Sequence, residues 1–91
     1  MLVFDQEAPV TWRGVIDSQP VVMAEDPYHV TFRMRSNEGA FLEVFVGRDL
    51  VEKAPEAFAL NRAIAITGES ILAGKTPQTP IVVFARRAKA A

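Results

Sequence analysis

The clearest pattern in the chain is a strict alternation of apolar and polar residues over positions 28–35. The apolar members are Tyr28, Val30, Phe32 and Met34, and the polar members are His29, Thr31, Arg33 and Arg35. A period of two is typical of a strand with one face in the core. We therefore expect the polar set, including Arg33 and Arg35, to face outward.

A second strand is predicted over positions 41–46, after the turn sequence Ser36-Asn37-Glu38-Gly39. The turn residues favour a hairpin with the preceding strand. If Leu42, Val44 and Val46 fill the core, then Phe41 and Phe45 face outward on this strand.

Three further strands are predicted from weaker patterns. Val10–Ile16 is rich in β-branched and aromatic residues, positions 62–72 carry Ile64 and Ile66 on one face, and the last strand covers positions 81–87. The turn Asp17-Ser18-Gln19-Pro20 follows the first of these, and positions 21–23 can continue its pairing. Positions 73–80 read as a loop, and 88–91 as a short basic tail.

The period changes to that of a helix between Asp49 and Leu60. Asp49 is a plausible N-cap, with Glu52 at capping-box spacing. Pro55 interrupts the pattern, because a proline inside a helix costs about 3 kcal/mol. Either the helix begins at Pro55 or two short turns meet there, and Asn61 can end the segment.

This order of elements predicts an all-β, five-stranded OB-fold barrel with one short helix between strands 3 and 4. Gly14 and Gly68 fall within strands, where a small barrel must bend sharply. An SH3-like barrel is the main alternative, although it does not usually carry a helix at that point. A chain of 91 residues holds one core, so residues 1–91 are expected to form a single domain.

The composition fits a globular protein, with 49% hydrophobic and 23% charged residues. A formal net charge of −1 argues against a polyanion binder of the histone kind. The charges are unevenly spread, however: no acid follows Glu69, and the bases beyond it are Lys75, Arg86, Arg87 and Lys89. Folding can therefore produce one basic face on a near-neutral chain.

No apolar run approaches the roughly 20 residues that span a bilayer, and the start of the chain lacks signal-peptide features. The chain has no cysteine, which excludes disulfides, thiolate metal sites and a cysteine nucleophile. These observations predict a cytoplasmic protein that does not associate with membranes.

The sequence offers no convincing catalytic chemistry. His29 is the only histidine, and neither another histidine nor a cysteine can complete a metal site with it. Gly74-Lys75-Thr76 lacks the first glycine of a phosphate-binding loop. We therefore expect a protein that is not an enzyme and that needs neither metal nor cofactor.

A binding surface is better supported, because two outward phenylalanines lie beside two outward arginines. Bases stack on aromatic rings at about 1 to 3 kcal/mol each, while guanidinium groups neutralise phosphates. Phe41 and Phe45 are the candidate stacking residues for single-stranded nucleic acid, and Arg33 and Arg35 the candidate phosphate contacts. Further candidate contacts are Arg13, Arg48, Lys75 and, if it does not belong to the core, Trp12.

The main alternative is a protein-interaction OB module, a subunit or adaptor, in which Phe41 and Phe45 are covered by another chain. An exposed apolar patch marks interfaces of any kind. The basic residues Arg86, Arg87 and Lys89 are interpreted as a solvated tail, with contact to phosphates as the less favoured alternative.

Several segments resemble bacterial single-stranded DNA-binding proteins. They are Val10-Thr11-Trp12-Arg13-Gly14-Val15-Ile16, Phe41, Val44-Phe45-Val46-Gly47-Arg48-Asp49-Leu50-Val51-Glu52, Ala57-Phe58-Ala59-Leu60 and Ala63-Ile64-Ala65-Ile66-Thr67-Gly68. The resemblance implies an OB-fold that binds single-stranded DNA with little sequence preference, in DNA replication, as a homo-dimer or tetramer.

The chain also departs from that family. Asn61-Arg62 replaces the family's Lys-Gly turn before the next strand, and the sequence lacks the acidic tail by which replicative members recruit partners. The resemblance is therefore to a trimmed relative, similar to the primosomal replication proteins that share the fold.

Overall fold

Six strands, one short α-helix and one 3-10 turn make up the computed structural model, which describes residues 10–25, 28–71 and 78–90. The strands are β1 Val10–Ile16, β2 Val21–Glu25, β3 Tyr28–Ser36, β4 Phe41–Gly47, β5 Ala63–Ile71 and β6 Ile81–Ala90. Helix α1 covers Arg48–Lys53, and the 3-10 turn covers Pro55–Ala57.

Five of the strands close into a barrel in the order β1-β5-β6-β4-β3 and back to β1. β1 pairs antiparallel with β5 over most of its length and with β3 at its end, where Gly14 lies opposite Ser36. β4 and β6 run parallel, with Phe45 opposite Phe84. The predicted OB-fold barrel of five strands is confirmed.

The predicted position of the helix was wrong by one strand. Val21–Glu25 forms a strand of its own, β2, which pairs with the first half of β3. The helix therefore lies between the fourth and fifth strands rather than between the third and fourth. The extra strand arises because β1 and β2 follow one another along the same edge of β3, separated by the turn at 17–20.

The core follows the alternation predicted for β3 and β4. Val30, Phe32 and Met34 of β3 are buried, and their neighbours on β4 are equally buried: Leu42, Val44 and Val46. Ile16, Ile64, Ile66, Ile81 and Val83 complete the interior. Each fully buried large apolar side chain contributes about 1.5 to 3 kcal/mol, which makes this cluster the main source of stability.

Gly14 and Gly68 are required by close approach of the backbone. A Cβ atom at Gly14 would overlap the carbonyl oxygen of Arg35, and one at Gly68 would overlap the carbonyl oxygen of Phe84. Gly68 also lies where the β5–β6 register shifts, which leaves Arg86 as an extra residue in β6. Both glycines lie within strands, β1 and β5, as the sequence indicated.

The segment between β4 and β5 consists of two short turns that meet near Pro55, one of the two arrangements expected from the sequence. Asp49 is not the N-cap: that position is Gly47, and Asp49 lies in the first turn of α1. Ala57 and Phe58 are buried at one end of the barrel, where the Phe58 ring lies 6.0 Å from that of Phe32. Asn61 adopts a left-handed backbone with φ 69° and reverses the chain into β5.

The end of β6 differs from the prediction. Positions 88–90 are not a tail but continue the strand, with Ala90 opposite Ile64 of β5. The basic residues near this end are consequently fixed on the sheet.

Candidate functional site

The outer face of β3 and β4 carries the four principal residues predicted from the sequence. Arg35 lies directly opposite Phe41, and Thr31 lies directly opposite Phe45. Directly opposite side chains in an antiparallel pair stand about 5 Å apart at Cβ. Arg33, Arg35, Phe41 and Phe45 therefore share one face, which lies over the second and third strands of the closed barrel.

An aromatic row crosses this face, formed by His29 of β3, Phe45 of β4 and Phe84 of β6. The Phe45 ring centroid lies 5.7 Å from that of His29 and 5.5 Å from that of Phe84. The Phe45 and Phe84 planes are 23° apart, a stacked arrangement. Phe84 is 46% exposed whereas Phe45 is half-buried, so Phe84 offers the more accessible ring.

Phe41 belongs to the same face but not to the aromatic row. It precedes Phe45 by four residues on β4, and at about 3.3 Å per residue the two positions are about 13 Å apart. Phe41 is half-buried beside Arg35. The face thus has two separate aromatic positions.

An acidic residue, Glu43, lies between these aromatic positions. Its Oε2 atom accepts a hydrogen bond of 2.7 Å from the Thr31 hydroxyl. Glu43 is also opposite Arg33 in the β3–β4 pairing. The centre of the face is therefore not uniformly basic.

The two arginines of the face differ in their partners. Arg33 lies 3.5 Å from the Asp17 carboxylate through Nε, and its backbone N–H donates to the Ser18 hydroxyl at 2.7 Å. Arg35 is exposed and forms no ion pair within the described part of the chain. Arg35 is therefore the more available cation, because Arg33 also contacts Asp17 and Ser18 in the turn after β1.

Of the other predicted contacts, Trp12 and Arg13 lie in β1 and Arg48 lies in α1, outside the β3–β4 face. Trp12 is opposite Ile66, packs against the core on the inner side of the barrel, and is half-buried. Its indole N–H has no hydrogen-bond partner among the residues described. Arg48 pairs with Glu52 in α1 at 2.9 Å, and Lys75 lies outside the described residues. Arg13 lies on the outer face of β1, on another side of the barrel.

A basic groove runs over that other side, where β1, β5 and β6 lie next to one another. It encloses about 450 Å³, and its four cations are Arg13, Lys53, Arg87 and Lys89. The sequence favours a solvated tail for Arg87 and Lys89 over contact with phosphates, whereas the structure places both in β6, opposite Thr67 and Ala65.

Phe84 was also missed as a site residue. Ile81 and Val83 are buried, so a period of two would have placed Phe84 outside. Its stacking on Phe45 depends on the parallel pairing of β4 with β6, which no local pattern indicates.

The described residues contain no group of three or more potential metal ligands. His29 contacts Phe45 through its ring, as part of the aromatic row. No helix among the described residues is long and apolar enough to span a membrane.

No protein-family model matches the chain, and no curated protein matches it. Several solved structures, however, are similar to it. The second single-stranded DNA-binding protein of Mycobacterium smegmatis has a TM-score of 0.74 at 19% identity, covering 92% of this chain and 88% of that one. The small single-stranded DNA-binding protein of Streptomyces coelicolor has a TM-score of 0.74 at 17% identity, covering 94% of each chain.

A third similar structure is the N-terminal domain of PriB from Thermoanaerobacter tencongensis. Its TM-score is 0.70 at 14% identity, with 94% of this chain and 98% of that chain covered. The predicted resemblance to single-stranded DNA-binding and primosomal replication proteins is confirmed at the level of the fold.

Proposed function

We propose that this protein is a non-catalytic binder of single-stranded nucleic acid, DNA in preference to RNA, with little sequence preference. The observation that carries the proposal is the aromatic row, in which Phe84 presents an accessible ring backed by Phe45. Every base has a π-face, so stacking on such rings is tolerant of sequence. The second and third strands of an OB barrel are also the strands over which oligonucleotides commonly bind.

The charges beside the aromatic positions support the same function. Arg35 stands next to Phe41, and an exposed guanidinium there can neutralise a phosphate while a base stacks on the ring. Two of the similar structures are single-stranded DNA-binding proteins, which favours DNA as the ligand.

We also propose that residues 1–91 act as one OB-fold domain and assemble into a dimer or tetramer. Val21 and Val22 on the edge strand β2 are 52% and 53% exposed. Exposed apolar residues on a free strand edge favour association between chains. The PriB domain of similar fold is dimeric.

Fluorescence anisotropy with labelled oligonucleotides tests the proposed function. We expect binding of oligo-dT that weakens with salt, by about 0.7 log units of affinity per log unit of salt for each phosphate contact. Comparing the affinities for oligo-dU and oligo-U measures the effect of the sugar alone, because the two ligands differ only in the 2′-hydroxyl. Weaker binding of oligo-U supports the preference for DNA.

Absence of oligonucleotide binding at low salt contradicts the proposal. The second candidate function, a protein-interaction module, then takes its place. The exposed Val21, Val22 and Phe84 favour that candidate, since each presents apolar surface that a protein partner can cover.

A further inference from the structure

The basic groove is built from two cross-strand rows on the outer faces of β1, β5 and β6. One row is Arg13–Ala65–Lys89, and the other is Thr11–Thr67–Arg87. The central strand contributes only small side chains, Ala65 and Thr67, so the cations of β1 and β6 rise on either side of a trough. A hydrogen bond of 2.8 Å between the hydroxyls of Thr11 and Thr67 fixes the floor.

The groove is basic because its cations are not neutralised. Arg13, Lys53, Arg87 and Lys89 are all exposed, and none of the described residues that line the groove is acidic. None of the four forms an ion pair with a residue that the structure describes. By contrast, Arg86 pairs with Glu69 just outside the groove.

The spacing of the cations suits a repeating anion. Arg87 and Lys89 are two residues apart on one face of β6, which corresponds to about 7 Å along the strand. Arg13 stands across the trough from Lys89, with Ala65 between them. An open trough with cations along both walls fits an extended polyanion better than one isolated phosphate.

A saddle connects the groove to the aromatic row. It is lined by Gly47, Arg48, Asp49, Leu50, Lys53, Ala85 and Arg86. Leu50 and Lys53 also line the groove, whereas Ala85 directly follows Phe84 of the aromatic row. Gly47 lies opposite His29, the other end of that row. The saddle therefore shares Leu50 and Lys53 with the groove and meets the aromatic row where Gly47 lies opposite His29.

We propose that the basic groove is a second binding segment, which holds the phosphodiester backbone of a strand whose bases stack on the aromatic row. This inference rests on the proposed function and extends it. The strand crosses the saddle at Gly47 and enters the groove beside Lys53. Binding in the groove depends on charge and not on bases.

Three ligands and three variants test the proposal. The ligands are oligo-dT of about 6 and about 20 nucleotides, within and beyond typical site sizes for one OB-fold, and an abasic strand of about 20 units. Arg87→Gln removes a groove cation, Phe84→Ala removes the accessible ring, and Arg62→Gln removes an exposed cation before β5 that is not part of the groove. Urea unfolding checks that all three variants remain folded.

The expected result is a loss that depends on ligand length. Arg87→Gln should weaken binding of the long oligo-dT about five-fold at about 0.1 M salt and make the salt slope shallower by about 0.7, the effect of one lost phosphate contact. Binding of the short oligo-dT should not change. The abasic strand should lose affinity in Arg87→Gln but not in Phe84→Ala, and Arg62→Gln should leave every affinity unchanged.

The outcomes separate the groove from the proposed function. If oligo-dT binding requires Phe84 while Arg87→Gln behaves like Arg62→Gln, the groove proposal is overturned and the proposed function stands. If Phe84→Ala has no effect but the abasic strand still requires Arg87, the stacking function fails and the groove remains a phosphodiester site. If no strand binds at low salt, both are overturned.

Discussion

Phe45 and Phe84 stack across the parallel pairing of β4 with β6, with their ring centroids 5.5 Å apart. His29 contacts Phe45 from the other side, at 5.7 Å. Phe45 is therefore held between two rings, and Phe84 retains an accessible face. A ring that is already oriented loses little conformational entropy when a base stacks on it.

Phe84→Ala is expected to weaken oligo-dT binding by about 1 to 3 kcal/mol with almost no change in the salt slope, because stacking is lost and no phosphate contact is. Fluorescence titrations at several salt concentrations measure both quantities. Leu60→Ala is the matched control, since Leu60 is 44% exposed but lies outside the face. Equal losses in the two variants would contradict a role for the ring.

Arg35→Ala is expected to reduce the salt slope by about 0.7, the value for one phosphate contact on a single strand. Arg33→Ala should reduce it by less, because Asp17 already shares the Arg33 guanidinium. In an Asp17→Asn background the effect of Arg33→Ala should grow towards that of Arg35→Ala. The same small effect in both backgrounds would show that Arg33 does not contact phosphate.

Glu43→Gln is expected to strengthen oligo-dT binding about two- to three-fold. Unit charges about 7 Å apart in water repel by about 0.6 kcal/mol, and the substitution removes one negative charge from the centre of the face. A glutamine still accepts the hydrogen bond from Thr31. Glu56→Gln, an exposed position in the 3-10 turn, is the control. An unchanged affinity in Glu43→Gln would indicate that phosphates do not pass near this residue.

Gly14→Ala is expected to lower the free energy of unfolding by about 3 kcal/mol, at the upper end of the cost of overpacking, because its Cβ would overlap the Arg35 backbone. Gly47→Ala is the control: nothing lies within 4 Å of its Cβ position, and its φ of −72° suits alanine. Its stability should change by no more than about 1 kcal/mol, because the reduced entropy of the unfolded chain is offset by the poorer N-capping of alanine at this position. Urea unfolding curves compare the two.

The chain is expected to form dimers or tetramers at tens of micromolar, roughly the concentration at which weak association is populated. Val22→Lys should shift the equilibrium towards monomer if the edge of β2 mediates the contact, since a lysine on an edge strand opposes pairing. Light scattering measures the mass. If the unaltered protein is found to be a monomer at this concentration, the proposed assembly into dimers or tetramers is contradicted.

The sequence predicts best what depends on local alternation. The faces of β3 and β4 follow directly from the period of two, so Phe32 and Met34 lie inside while Arg35 and Phe41 lie on the outer face. Gly14 and Gly68 are likewise recognisable as special positions within their strands, where the backbone of a neighbouring strand comes close. Pro55 indicated an interrupted helix, although the sequence did not decide between the two arrangements.

The sequence does not predict positions that depend on contacts between residues far apart in the chain. Val21–Glu25 shows no clear alternation, because its two valines are both exposed and its pairing with β3 determines the strand. The stacking of Phe84 requires β6 to lie beside β4, and the basic groove requires Lys89 to pair opposite Ala65. These contacts arise only when the barrel closes.

Gly14 faces Ser36 of β3 on one side and Ile64 of β5 on the other, so a single position joins the two ends of the curved sheet. Both partners are distant in sequence, and contacts of this kind slow folding because long loops must be ordered before the contacts form. Detachment of β1 would expose the paired edges of β3 and β5 at the same time, so closure of the barrel depends on this one strand.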